Sequence, residues 1–285
     1  MLQDARLYQI SFLSLFLLLG FATRDWTLHP VVVATALLTC CLSQWLGLYL
    51  VGQLPAQLPS SPEAKGQGLW PGWAAFFSPV ITALGLAILL RVDGAWMMAI
   101  ASVAAIASKF LFRWRDKHLW NPSNFGIIAA LLLPGNAWVS PGQWGESVWY
   151  VLMFLACGGL VVRKVGRLDT TVAFLVSYGV LEALRNLYLG WTWDVWGHRL
   201  GSGSLVMFSF FMITDPRTIP DSWRARVLWA FSIAVVTFGL RNFYFLNTAV
   251  FWALFCISPV TVLLDALWQG DRFVWRRSPE LLEEG

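Results

Sequence analysis

The sequence predicts an all-α, polytopic membrane protein of about ten transmembrane helices, and three observations predict it. The first is apolarity. Of 285 residues, 58% are hydrophobic and 13% are charged, and the mean hydropathy is +0.62. A soluble domain is roughly a quarter charged, so lipid must be the solvent of most of this surface. The second is segmentation, with apolar stretches at about 7–23, 30–52, 74–91, 95–112, 124–139, 147–162, 170–189, 201–213, 225–243 and 246–268. The third is the order of the charges. With the N-terminus placed inside, fifteen of the twenty Lys and Arg residues fall on the inner side of these stretches, and only Arg24, Arg91, Arg185, Arg199 and Arg241 fall on the outer side. Lys and Arg resist translocation, so this bias orients the chain with both ends in the cytoplasm.

Each element follows from local chemistry. The first stretch lacks a basic run before it and a small-residue cleavage site after it, so it reads as a retained helix. Gln53 to Pro71, rich in Pro and Gly, reads as a cytoplasmic loop. The fifth stretch is broken by Pro134 and Gly135, and the eighth follows a Gly-Ser-Gly-Ser run. Both fall short of the roughly 20 residues a crossing needs. Short segments in both halves suggest two inverted five-helix repeats with broken or re-entrant helices; a shift of the boundaries by a few residues explains them equally well. The acidic tail over 269–285 is a short cytoplasmic end. The chain is one integral membrane domain over 1–285.

The net charge of +4 reflects the inner-face bias and suits anionic lipid headgroups, so the bilayer is the expected partner and nucleic acid is not. Cys40, Cys41, Cys157 and Cys256 lie inside predicted helices, where small apolar packing is the simplest role; no metal site is expected. Many of the eighteen tryptophans sit at stretch ends, as an aromatic belt requires.

Four polar clusters interrupt the pattern. Asn121, Pro122 and Asn124 open the fifth helix with an N-cap acceptor and a fixed φ, near basic residues at the membrane boundary. Such a helix start can hold a phosphate, or simply be capped. Thr214, Asp215 and Arg217, with Pro216 and Pro220, repeat the cap-proline logic on the same membrane face, so the two elements frame a candidate cofactor pocket. Ser140, Gln143 and Trp144 lie in an outer turn around Pro141-Gly142. Glu182 and Arg185, spaced i,i+3 in the seventh helix, share a face and can pair; an ionisable residue at that depth is a functional candidate. No residue is singled out as catalytic.

In this order the clusters resemble the NqrB/RnfD family of ten-span subunits from sodium-pumping and Rnf-type electron-transfer complexes. The resemblance rests on Asn121-Pro122-Ser123-Asn124-Phe125-Gly126 and on Phe211 through Pro220, Phe-Met-Ile-Thr-Asp-Pro-Arg-Thr-Ile-Pro. Leu28-His29-Pro30 and Leu263-Leu264-Asp265-Ala266 add to it. The opening Asp4 to Ile10 and the Trp138 to Gly145 turn are similar to stand-alone members labelled as enediyne-biosynthesis membrane proteins. The resemblance implies a multi-pass protein of the bacterial inner membrane and a redox subunit that works with other membrane or redox subunits. It also implies a flavin.

One departure changes the cofactor expectation. Electron-transfer relatives carry FMN on a threonine in an outer Ser/Asp-Gly-Ala-Thr motif, whereas here Ser140 to Glu146 contains no threonine. Covalent FMN is therefore not expected; a non-covalent flavin (FMN or riboflavin) or a quinone is. On the same scaffold the alternative is a transporter or channel for a small solute or a flavin-type molecule.

Overall fold

The computed structural model describes residues 4–23, 27–52, 72–115, 117–140 and 148–273. The fold is all-α and polytopic, and every predicted apolar stretch contains a helix. These are α1 (Ala5–Thr23), α2 (Pro30–Leu50), α3 (Phe77–Leu89, entered through a 3-10 turn at Trp73–Phe76), α4 (Ala95–Leu111), α5 (Pro122–Leu132), α6 (Val148–Val165) and α7 (Leu168–Leu189). After them come α8 (Trp193–Leu200), α9 (Gly203–Met207) running into a π segment at Phe208–Met212, α10 (Trp223–Asn242), and the pair α11 (Ala249–Ile257) and α12 (Val260–Leu267).

The polytopic all-α architecture holds, and the helices differ in length, as broken or re-entrant segments require. Among the described residues, four helices are long and apolar enough to span a bilayer, or five if the α11–α12 pair, bent by 49°, counts as one. Several of the others are shorter, and the chain shows how they end inside an apolar body. α3 gives way to a strand, β1 (Leu90–Val92), and α5 to another, β4 (Ala137–Val139); the two pair antiparallel. Pro134 and Gly135 lie at the break after α5, as expected, and Gly135 takes φ +154, which needs a glycine. The strand pair gives the released backbone groups partners that lipid cannot offer. A second short ladder joins β2 (Arg113–Trp114) to β3 (Lys117–His118).

The two halves repeat their packing. In the first, α1 packs on α3, α2 on α4 and α4 on α5; in the second, α6 packs on the α9–π segment, α7 on α10 and α10 on α11. Across the halves α1 meets α6 and α5 meets α11. The corresponding helices α1 and α6 run in opposite senses, for Lys164 near the end of α6 sits 4.0 Å over the ring of Tyr8 near the start of α1. This is the order of an inverted repeat, with α8 inserted. Close approach of α4 and α5 depends on Gly126, where a Cβ would lie 2.7 Å from the Ala101 carbonyl oxygen.

One end of the bundle is basic and cross-linked. Lys117 bridges Asp221 at 2.8 Å and Asp265 at 2.6 Å, and Arg226 pairs with Asp169 at 2.7 Å. The other end holds Arg91, which is buried and donates to the carbonyls of Ala87, Ile88 and Leu90. A cation there satisfies the loose end of α3 and its dipole. Trp73, Trp96, Trp114, Trp138, Trp193 and Trp223 are exposed near helix ends, as a belt requires.

Candidate functional site

The two cap-proline segments, 94 residues apart in sequence, meet in space. Asn121 caps α5 by accepting from the Asn124 N–H at 3.1 Å. Its Nδ2 donates to the Met212 carbonyl at 3.3 Å and reaches Asp215 Oδ2 at 3.4 Å. Asp215 in turn accepts from the Arg217 N–H at 3.1 Å, and its carbonyl takes both the N–H and the hydroxyl of Thr218 at 3.1 Å. Asp215 and Pro216 open a short turn, as expected, and the next helix, α10, is capped by Ser222. Asp215 needs its first acceptor to hold that turn, which leaves no helix end there to offer N–H groups. Thr214 closes the π segment by donating to the Phe210 carbonyl at 2.7 Å. The β2–β3 hairpin is fastened alongside, with the His118 N–H on the Arg217 carbonyl at 3.1 Å.

A cavity of about 220 Å³ opens among these segments, lined by residues of α1 to α6, the π segment and the turn. Its lining includes the polar residues Gln44, Lys109, His118, Asn121, Asp215 and Arg217 and the apolar residues Leu13, Met207, Phe210 and Phe211. The volume is below the roughly 300–1,000 Å³ of drug-sized sites, so it suits one ring system or a compact head group. Asn124 does not line it. That side chain is fully buried and turns to α11, donating to the Phe251 carbonyl at 3.1 Å, while its Oδ1 has no partner.

Burial and the surrounding charges act differently on His118 and Asp215. Burial and the charges of Lys109, Arg217 and Arg113 push the His118 imidazole down to about 3, so it stays neutral. Desolvation pushes the Asp215 carboxyl up, and the Arg217 N–H and the charges of Arg217 and Lys109 pull it back.

Lys109 was not singled out from sequence as a site residue. It is 5% exposed, and its ammonium donates to Gln44 Oε1 and Ser78 Oγ, both at 2.9 Å. The signal was present: Lys109 and Gln44 both fall inside predicted membrane stretches, where polar groups are rare and functional by default. Lys109 instead read as one more positive-inside charge.

The remaining candidates lie elsewhere. Ser140 is buried beyond β4 at the opposite end, its N–H on the Leu89 carbonyl at 2.8 Å. Gln143 and Trp144 fall outside the described residues. The expected Glu182–Arg185 pair is corrected. Glu182 is 2% exposed and binds Arg199 and Asn242, each at 2.7 Å, while Arg185 lies 4.7 Å over the Trp191 ring. α8 folds back along α7 and brings a better partner than the one on the same helix.

Comparison with known proteins places these elements in context. Residues 132–273, about half of the chain, match the NQR2, RnfD, RnfE family. That span contains the Thr214–Pro220 segment; Asn121–Gly126 precedes it. The chain is 26% identical over 155 residues to an RnfD-type subunit of the ion-translocating oxidoreductase complex of Stutzerimonas stutzeri, covering 52% of this chain and 44% of the relative. It is 28% identical over 138 residues to the corresponding protein of the same complex in Halorhodospira halophila, covering 48% and 37%. The chain therefore spans less than half the length of these relatives.

Proposed function

Because the chain belongs to the NQR2, RnfD, RnfE family, we propose that it is the membrane subunit of an ion-translocating electron-transfer system, with a non-covalent flavin or a quinone in the cavity at the basic end. The observation that carries this reading is the convergence of Asn121 and Asp215 at a cavity that apolar residues also line. A planar, partly polar ring asks for that pairing: hydrogen-bonding groups on its edge and Phe210 or Phe211 against its face. Two residues of the lining each carry a buried nitrogen without a partner among the described residues, His118 Nδ1 and Arg113 Nε, and such a ligand could engage them.

In this reading Asn121 and Asp215 position the ligand edge, and His118, held neutral, accepts a hydrogen bond from it. A bound flavin or quinone supplies the electron-accepting chemistry that amino-acid side chains lack. The chain works with other membrane and redox subunits and is not catalytic alone. It sits in the bacterial inner membrane with its basic end, and both termini, toward the cytoplasm. Cysteine labelling at positions 60, 144 and 280 tests that topology: position 144 reacts from outside and the others only from inside, and outside labelling of 280 refutes it.

The visible absorption spectrum of the purified protein tests the cofactor. A flavin spectrum supports the reading. A colourless preparation with no extractable quinone moves the assignment to transport of a small solute. Denaturing gels after co-expression with a flavin transferase should show no fluorescent band, because Ser140 before Pro141 lacks the threonine motif; a fluorescent band refutes the non-covalent assignment.

A further inference from the structure

Lys109 poses a problem that its neighbours do not solve. Burial of an ammonium is costly unless it is paired with an opposite charge. Yet the two partners of Lys109, Gln44 and Ser78, are neutral. An ammonium carries three donors, and two are used. Among the described residues, Asp215 is the only carboxylate lining the cavity, against Lys109 and Arg113, while Arg6 and Arg217 have further contacts of their own. Arg6 is met by Asp4 outside that lining, at 2.7 Å. The cavity thus keeps an excess of positive charge and an unused guanidinium donor, Arg113 Nε.

The geometry points to a subsite for an anionic oxygen group, a phosphate or a carboxylate, held by Lys109 in this cavity. The inference rests on the reading of the cavity as a ligand site, and it adds the rule of selection: Lys109 separates charged ligands from neutral ones of the same shape. The anionic group fills the third donor position of the ammonium and adds a counter-charge in direct contact, where Asp215 acts on Lys109 only through its field. Gln44 and Ser78 fix the ammonium so that it need not reorganise on binding. Two sources carry this chemistry, a soluble phosphorylated ligand and the headgroup of an anionic lipid.

The test compares FMN with riboflavin, which share a ring and differ in the phosphate, on purified wild type, Lys109→Gln and Lys109→Arg. Wild type should bind FMN at least about tenfold more tightly than riboflavin, a margin of about 1.4 kcal/mol. Lys109→Gln should lose that margin while keeping riboflavin binding, and Lys109→Arg should keep it. Equal affinities in wild type, or an unchanged margin in Lys109→Gln, overturn the subsite and leave the flavin reading standing. If neither flavin binds, the flavin reading fails and two further probes decide the subsite. A Lys109-dependent rise in Tm with inorganic phosphate, or in phosphatidylglycerol nanodiscs against phosphatidylcholine ones, supports it and identifies the source. The absence of both shifts overturns it.

Discussion

Two buried polar regions sit in this bundle, and they differ in whether their bonding is complete. At the end opposite the cavity, Glu182, Arg199 and Asn242 close a ring: the carboxylate takes one bond from each partner, and Arg199 also donates to Asn242 Oδ1 at 2.8 Å. At the basic end, among the described residues, Lys109 donates only to neutral oxygens and His118 Nδ1 and Arg113 Nε have no partner. Polarity inside a membrane domain is therefore not in itself a mark of function. A saturated cluster fastens helices together; an unsaturated one beside a cavity is set to receive something. By residue type alone the two look alike, since each joins a buried charge to a buried amide.

Mutation should separate them. The largest effect is expected at Glu182→Ala, which leaves Arg199 without its partner; a buried pair broken on one side costs about 3 kcal/mol. Equilibrium unfolding in detergent would read that loss, with FMN affinity unchanged. An altered affinity would show that the two regions are coupled and the distinction false.

The next effect is a pH dependence owed to His118. Its folded value is pushed down to about 3, below the ordinary 6.5. The unfolded chain therefore takes up a proton on acidification that the native state refuses, and stability falls as pH drops from 6.5 toward 3. The loss reaches up to about 1.4 kcal/mol by pH 5.5. His118→Gln should flatten that part of the stability profile, and identical slopes in the two proteins would remove the imidazole from the account.

Asp215 sharpens the contrast further. Asp215→Leu should cost about 1 kcal/mol through the lost turn, whereas Asp215→Asn keeps an acceptor and should leave Tm nearly unchanged. If Asp215→Asn also leaves ligand content and activity intact, the carboxylate only shapes the turn. A small stability effect is also expected at Lys109→Met. Replacing a buried charge with an apolar group of similar volume is close to neutral, so stability should stay within about 1 kcal/mol of wild type. A loss as large as that of Glu182→Ala would make Lys109 a fastener instead.

The sequence was readable where a signal is local. The cap at Asn121, the break at Pro134-Gly135 and the turn at Asp215-Pro216 each declare themselves within a few residues. So does the gathering of Lys and Arg at one end, because short loops carry it. What escaped depends on distance. Arg199 reaches Glu182 only because α8 folds back, so helical spacing nominated Arg185 instead. The pairing of Leu90–Val92 with Ala137–Val139 has no signature in either segment; each looked like the last turn of a membrane helix. Lys109 was visible but was absorbed by the rule that explained its neighbours. That Asn121 and Asp215 share a membrane face was readable; that they touch was not.

The β1–β4 ladder also bears on how the protein is made. A strand cannot stand in hydrocarbon with its N–H and C=O groups bare, and Leu90–Val92 leaves the ribosome well before Ala137–Val139. Until the fifth hydrophobic segment arrives with the matching edge, the backbone of Leu90–Val92 lacks its ladder partner. Completion of this half of the bundle then depends on α3 and α5 together.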